Sequence, residues 1–385
     1  MTHSTSFTYQ LKREILSFSN KISKCLSKPD RNFFADMLYG ILASRSCLLT
    51  DISDKLLEPC KKINTVDRLS AHLAKGTPKE VLNACLALLR KWCSAHPVIL
   101  IDDSDVVKPG GCKFEDLGWV RDGSKSTSSK EKDFTSINDV AFSAMERAAA
   151  LFGKAAFIMD RGYDDNKMFL KLDFMGQDYV IRLTSRRKLL CHNKWVFATE
   201  LRNRRKGKVK LPLFYKGKMH EAYLSHVKVQ ITASRKDIYL VLVYGITEHP
   251  MMLATNREIR SKDDVIRAAM LYFSRWKIEE YFRCKKQVFQ FENFRVRKLK
   301  AINALNFYIT LCMAFLAHMS VKSETNVLKT EIIRTAKSIR EKVAFCYYRL
   351  AKGISGILSH AKEGIRLWFR TKRPAYRQLR LKLVV

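Results

Sequence analysis

Apolar residues recur at helical spacing in Phe33–Leu42 and again in Val81–Trp92, with breaks around Pro29–Asp30 and Gly76–Pro78. That pattern predicts helices joined by short turns over residues 1–95. The texture changes at Pro97. The run Pro97-Val-Ile-Leu-Ile101 is continuous and apolar, as a short strand in a core would be, and it ends in Asp102-Asp103-Ser104-Asp105. A polar loop rich in Ser and Lys follows at about 121–135, and its composition predicts mobility. Ala141–Leu151 reads as a helix, and Ala155-Ala-Phe-Ile-Met159 as a second apolar strand capped by Asp160-Arg-Gly162. Strand, helix and strand with acidic residues at the strand ends predict an α/β core.

From about Tyr179 to Gly245 the period becomes two, in Tyr179-Val-Ile-Arg-Leu183, Val227-Lys-Val-Gln-Ile231 and Ile238-Tyr-Leu-Val-Leu-Val243. This section should be rich in strands. Helical spacing resumes near Ser261 and continues to the end. The tail from about 325 is helical and basic, finishing with Arg370-Thr-Lys-Arg-Pro374 and Arg377.

Residues 272–286 combine helical spacing with an unusual set of polar groups. Tyr272, Arg275, Glu279 and Lys286 stand at offsets 0, 3, 7 and 14. On one continuous helix, at about 100° per residue, they fall within a wedge of roughly 60°. Leu271, Ile278, Phe282 and Phe289 would form a neighbouring apolar stripe that holds the face against a core. A carboxylate among cations suits a metal ligand whose neighbours grip a polyanion. The competing reading of Glu279 is an ion-pair partner for Arg275 or Arg283, each four residues away.

Charge strengthens the polyanion reading. Lys and Arg total 71 against 37 Asp and Glu, a net charge of +34. A surface so biased attracts phosphate polymers and holds them by counterion release, so nucleic acid is the expected partner. Hydrophobic residues make up 47% of the 385, which places the chain among globular proteins. The ten cysteines show no Cys-x-x-Cys pair, as expected of reduced thiols rather than a disulfide frame or zinc site. The N-terminal MTHSTSFTYQLKRE lacks the apolar stretch of a signal peptide. Ala301–Met319 is interrupted by Asn303, Asn306, Thr310 and His318, which favours a buried helix over a membrane span. A cytoplasmic, nucleoid-associated protein is therefore expected, with no membrane partner.

Metal-dependent phosphodiester chemistry needs hard oxygen ligands, mainly carboxylates, from well-separated segments. This chain offers Asp102 and Asp160 at strand ends and Glu279 in the later helical segment. An Asp after a strand is also an ordinary turn former or helix cap. No Gly-rich phosphate loop of the Walker or dinucleotide type is present.

Tyr272-(2)-Arg275-(3)-Glu279-(6)-Lys286 resembles the YREK signature of bacterial insertion-sequence DDE transposases, the cut-and-paste, insertion-sequence-four-like group. Ile-Asp102-Asp-Ser-Asp-Val resembles the strand bearing that family's first Asp, and Ile-Met-Asp160-Arg-Gly-Tyr its second. The resemblance covers about residues 96–300 well and the ends loosely. It implies an RNase H-like core, a mixed sheet flanked by helices, with a β-rich insertion at about 179–245. It also implies Asp102, Asp160 and Glu279 as catalytic ligands of two Mg2+ ions, with Mn2+ as a substitute. Tyr272, Arg275 and Lys286 would contact phosphates of double-stranded DNA near the transposon end. Asp103 and Asp105 remain alternatives to Asp102, whereas Glu280 sits about 100° round a helix from Glu279.

Three regions are thus expected: helical and DNA-binding at 1–95, catalytic at 96–322, and helical and basic at 323–385. The implied function is metal-dependent cleavage at inverted-repeat ends and strand transfer of the 3′-hydroxyl into target DNA by a homodimer formed on DNA. Rival readings are an inactive transposase-derived DNA-binding protein and an RNase H-like nuclease that cuts without joining. The basic run Arg202–Lys210 is a solvated loop or a contact to the DNA backbone. Neutralising its charges should weaken binding to every DNA sequence and flatten the salt dependence, measured by fluorescence anisotropy across a salt series. An unchanged salt slope would mean that the run merely faces solvent.

Overall fold

The computed structural model describes residues 3–104, 106, 114–115, 137–215, 217–323, 325–336 and 346–366. The loop at about 121–135, Asp105 and the basic stretch from Arg370 to Arg377 lie outside the described residues. Two compact units divide the chain. A helical unit takes Met1–Leu88, Val106–Trp119 and Tyr281–Val385, and a sheet unit takes Leu89–Asp105 and Val120–Glu280.

The helical unit contains α1 (His3–Ser23), α2 (Lys28–Ser44), α3 (Leu49–Leu56), α4 (Lys62–Ala74) and most of α5 (Lys79–Trp92). The break expected at Pro29 is the start of α2, where the Ser27 hydroxyl caps the Asp30 N–H and Pro occupies the first turn. Gly76 lies between α4 and α5 with φ +78°, a conformation that glycine adopts without strain. The unit is completed by α11 (Leu299–Ser320), α12 (Val327–Thr335) and α13 (Tyr347–Leu358). By length and composition α11 could cross a membrane. Here it is a core helix: Ala304, Leu305, Ile309, Leu311, Cys312, Phe315 and Leu316 are buried, and Tyr308 packs edge-on against Phe33 and Phe34.

The sheet unit holds nine strands: β1 (Val98–Ile101), β2 (Ala156–Met159), β3 (Asp178–Arg182), β4 (Lys188–Cys191), β5 (Lys194–Phe197), β6 (Val209–Tyr215), β7 (Lys218–Ile231), β8 (Lys236–Tyr244) and β9 (Met251–Thr255). They form one mixed sheet in the order β1-β2-β3-β9-β8-β7-β4-β5, with β6 also on β7. β1, β2 and β3 are parallel, whereas the β-rich section from β3 onward pairs antiparallel. The four residues of β2 are all buried, as a central strand covered on both faces requires. Phe157 and Met159 face one way, packing with Met145 of α6 (Ile137–Phe152) and with Met168, Phe169 and Leu172 of α7 (Asn166–Phe174). Ile158 and Val180 face the other way, toward Val265, Ala268, Ala269 and Tyr272 of α9 (Lys262–Phe273). Helices therefore cover both faces of the parallel strands.

The basic run begins in α8 (Ala198–Arg204) and ends in β6. Part of it is structural. The Tyr244 hydroxyl donates to the carbonyls of Arg202 and Arg205 at 3.0 Å each, and Arg205 Nη1 donates to the His226 carbonyl at 2.8 Å. Lys210 pairs with Glu221, while Lys206 and Lys208 are exposed.

Residues 272–286 do not form one helix. α9 ends at Phe273, and α10 spans Trp276–Gln287. The Ser274 hydroxyl turns back on the Leu271 carbonyl at 2.6 Å. Backbone bonds tighten to three-residue spacing from Arg275 N to the Tyr272 carbonyl, from Lys277 N to Ser274 and from Ile278 N to Arg275. A side chain that bonds the preceding turn competes with the helical ladder, and the tighter spacing advances each residue by about 120°. The single 60° wedge is thus lost. Tyr272 closes α9, Arg275 lies in the junction, and Glu279 opens α10. The unit boundary falls at Tyr281, so Lys286 belongs to the helical unit, where it pairs with Glu292 at 3.0 Å. The expected stripe is only partly buried: Phe289 is buried but lies past α10, and Leu271, Ile278 and Phe282 are half-buried.

Lys285, beside the signature residues, is 7% exposed. Its ammonium donates to Asn306 and, at 3.2 Å, to the Thr310 hydroxyl, and it lies 5.3 Å from the Tyr281 ring. These contacts employ two of the polar residues that interrupt α11. Burial lowers the ammonium pKa to about 8. The folded chain therefore gives up this proton near pH 8, whereas the unfolded chain keeps it to about 10.5, and stability rises with pH between the two. Between pH 7.5 and 9.5, urea unfolding should show the parent gaining about 2 kcal/mol relative to Lys285→Met. Parallel pH profiles for the two proteins would refute this burial.

Candidate active site

Strand register brings the first two acidic candidates together. Ile101 pairs with Met159, and Met159 with Ile181. The next residues along the three strands, Asp102, Asp160 and Arg182, therefore stand side by side at one end of the parallel sheet. Period two puts each of them on the face of Leu100, Ile158 and Val180, which packs against α9. Asp103 falls on the opposite face and accepts a hydrogen bond from the Tyr163 hydroxyl at 2.8 Å. Pairing with β2 thus puts Asp102, rather than Asp103, on the face that packs against α9. Alternation within one strand could not decide between them.

α9 delivers the third corner. Its start is fixed by a reciprocal cap, in which Ser261 Oγ accepts from Asp264 N at 3.3 Å and Asp264 Oδ2 accepts from Ser261 N at 2.9 Å. At its other end Tyr272 is buried in the core under the sheet, 5% exposed, where the charge of Arg182 opposes the upward push of burial on its phenol. Three residues on, Arg275 reaches back. Its Nη1 donates to Asp102 Oδ2 at 2.7 Å, and its Nη2 donates to Glu279 Oε1. The guanidinium is 14% exposed, Asp102 19% and Glu279 46%. One cation therefore ties a strand-end carboxylate to a helix-start carboxylate.

The Asp102 carboxyl feels both of the other acidic candidates. Burial pushes the Asp102 carboxyl above its ordinary value, Arg275 opposes this, and the charges of Asp160 and Glu279 push it further up. Burial alone would lower the Arg275 guanidinium, but Tyr272, Asp102, Glu279 and Asp160 together raise it. Burial, the hydrogen bond to Asp103 and the nearby carboxylates all push the Tyr163 phenol well up. Three carboxylates against the guanidiniums of Arg275 and Arg182 leave an excess of negative charge, which suits a divalent cation, and the donors are the hard oxygens that Mg2+ or Mn2+ takes. In chemistry the set fits such an ion. Among the described residues, however, no three His, Cys, Asp or Glu side chains are gathered as an ion would need. The Arg275 fork stands between Asp102 and Glu279.

Asp160 also caps the short 3-10 turn Arg161–Tyr163, accepting from the Arg161 N–H. The turn is braced by Asp164, whose fully buried carboxylate accepts from Thr184 N at 2.7 Å, Thr184 Oγ1 at 2.8 Å and Arg187 Nε at 2.7 Å. Arg182, Tyr163, Asp164 and Arg187 are the parts that sequence reasoning missed. Arg182 was visible as the one charged residue in Tyr179-Val-Ile-Arg-Leu183, and Tyr163-Asp164 directly follow the Asp160 motif. Their partners are distant in sequence and carried no local signal. Lys286 is not among the groups that converge in the sheet unit.

No curated protein matches the chain. The family model for the transposase DDE domain matches residues 120–315, which include Asp160 and Glu279, and Asp102 lies ahead of that span. Members of this family generally use divalent metal ions, and the mixed sheet between helices is their RNase H-like core. With a matched span of just over half its length, the chain belongs to the transposase DDE domain family and is a DNA transposase.

Proposed function

We propose that this transposase belongs to the YREK-signature, insertion-sequence-four-like group of cut-and-paste enzymes, and that it cleaves the inverted-repeat ends of an insertion sequence and joins them to target DNA. The observation that carries the proposal is the meeting of Asp102 and Glu279 on one guanidinium, with Asp160 beside Asp102 by strand register. The three carboxylates would hold Mg2+, with Mn2+ as a substitute. Divalent ions bound there would activate the attacking oxygen and stabilise the leaving one.

The chain's own groups supply position and charge. Arg275 presents a planar fork that suits a phosphate as well as it suits a carboxylate. Arg182 sets a positive charge near the Tyr272 hydroxyl from the end of β3. Tyr163 holds Asp103 to the opposite face, so that Asp102 alone among the described strand-end pair enters the site. Asp164 and Arg187 fix the turn that carries Asp160. Tyr272, Arg275 and Lys286 are assigned to phosphates beside the scissile bond. In the first reaction water attacks phosphorus, the bond to the 3′-oxygen breaks, and a 3′-hydroxyl is released. In the second that hydroxyl attacks a target phosphodiester, whose own 3′-oxygen leaves. The number of phosphodiester bonds is conserved in strand transfer, so no external energy source is required.

The helices of residues 1–95 are assigned to DNA binding, residues 96–322 to catalysis and residues 323–385 to further basic contacts. Two transposon ends would be held by a homodimer formed on DNA, in the bacterial cytoplasm at the nucleoid. Purified protein, Mg2+ and a duplex carrying an inverted-repeat end provide the test. Asp102→Ala, Asp160→Ala and Glu279→Ala should each lower cleavage and joining by about a hundredfold or more while leaving end binding largely intact. Cleavage at the parent rate by all three would refute the assignment, and cleavage without strand-transfer products would identify a nuclease.

A further inference from the structure

Arg275 occupies the carboxylates that the proposed chemistry needs for metal. Its two nitrogens bond Asp102 and Glu279 at once, and its side chain is 14% exposed. Both oxygens of Asp102 carry a hydrogen bond, since its Oδ1 also accepts from the Asp103 N–H at 3.2 Å. A divalent ion entering this set would have to share both carboxylates with a cation at contact distance. In a partly buried site such like-charge proximity costs far more than it would in water.

We propose that Arg275 is a DNA-released lock on the metal site, held on Asp102 and Glu279 in the free protein and drawn off by a DNA phosphate, so that divalent-ion binding and DNA binding are coupled. This rests on the reading of Asp102, Asp160 and Glu279 as the metal ligands. The guanidinium fork fits a phosphate as it fits a carboxylate, so exchanging one partner for the other preserves its hydrogen bonds. The exchange needs only a long side chain to swing, because Arg275 sits in the junction between α9 and α10. Once it has moved, the carboxylates lose their resident cation and their mutual repulsion favours a replacement. Linkage makes the effect reciprocal: the factor by which DNA tightens ion binding is the factor by which the ion tightens DNA binding. An enzyme built this way would hold few ions until a DNA strand is in place.

The test is Mn2+ binding to the full chain, followed by electron paramagnetic resonance of free Mn2+, with and without a short duplex whose own binding is subtracted. Without DNA, Arg275→Gln should bind Mn2+ at least about tenfold more tightly than the parent, because the competing charge is gone. With duplex, the parent should tighten by about tenfold and Arg275→Gln by less than about threefold. Equal or weaker Mn2+ binding by Arg275→Gln without DNA overturns the lock. Arg275→Met removes the charge while keeping an unbranched side chain, and it serves if the Gln variant fails to fold. It should bind about threefold or more tighter than the parent, and unchanged affinity overturns the lock. Asp102→Asn and Glu279→Gln separate this outcome from failure of the underlying reading. If neither alters Mn2+ binding, the carboxylates are not the ligands. If both abolish it while Arg275→Gln behaves as the parent, only the lock is wrong.

Discussion

Two carboxylates in a partly buried site, Asp102 and Glu279, share one guanidinium, with a third, Asp160, at the adjoining strand end. That interaction organises the sheet unit. Asp102, Asp160 and Glu279 come from two strand ends and the first turn of a helix, and the charges of Asp160 and Glu279 push the Asp102 carboxyl up. Arg275, bonded to Asp102 and Glu279, supplies the only cation bridging that pair among the described contacts. A site so arranged costs stability in exchange for affinity toward cations, which is how functional sites commonly depart from the best-packed solution. The surrounding fold bears this cost through a fully buried β2, helices on both sheet faces, and the Asp164–Arg187 brace behind the Asp160 turn.

Much of this scaffold was legible in the chain. A continuous apolar run marked β2 because a strand buried on both faces has no polar positions to interrupt it, and a similar run marked β1, which is only partly buried. Ser261 before a helical stretch marked the start of α9, since a hydroxyl there satisfies an end N–H. The two strand-end aspartates were found for the same reason: an abrupt change from apolar to acidic is visible without knowing what lies beside it. Pairing register was not visible, and register is what separates Asp102 from Asp103. The bond between Tyr163 and Asp103 spans sixty residues of sequence, and no local pattern encodes it.

The segment at 272–286 shows where a periodicity argument stops. Spacing placed four polar residues on one helical wedge, but Ser274 spends its hydroxyl on the preceding turn and divides the helix. The division has a structural use. Tyr272 can then end α9 buried beneath the sheet, while Arg275 turns toward the carboxylates and Glu279 starts a new helix. Lys285 was overlooked because a lysine in a basic chain attracts no notice, yet it is buried against the polar residues of α11. Two of the interruptions that argued against a membrane span, Asn306 and Thr310, thus have a partner within the protein. The basic run Arg202–Lys210 is likewise mixed, with Arg205 and Lys210 engaged by the sheet and Lys206 and Lys208 outward.

The central claim is that Asp102, Asp160 and Glu279 form one metal-binding centre that acts on DNA. The most direct measurement is anomalous diffraction from crystals of the full chain bound to a transposon-end duplex and Mn2+. If the claim is right, Mn2+ density lies among these three carboxylates, with the end phosphate adjoining it and Arg275 turned from Asp102 to that phosphate. Ordered Mn2+ elsewhere, with the Arg275 bridge intact and the end phosphate remote from all three carboxylates, would contradict it.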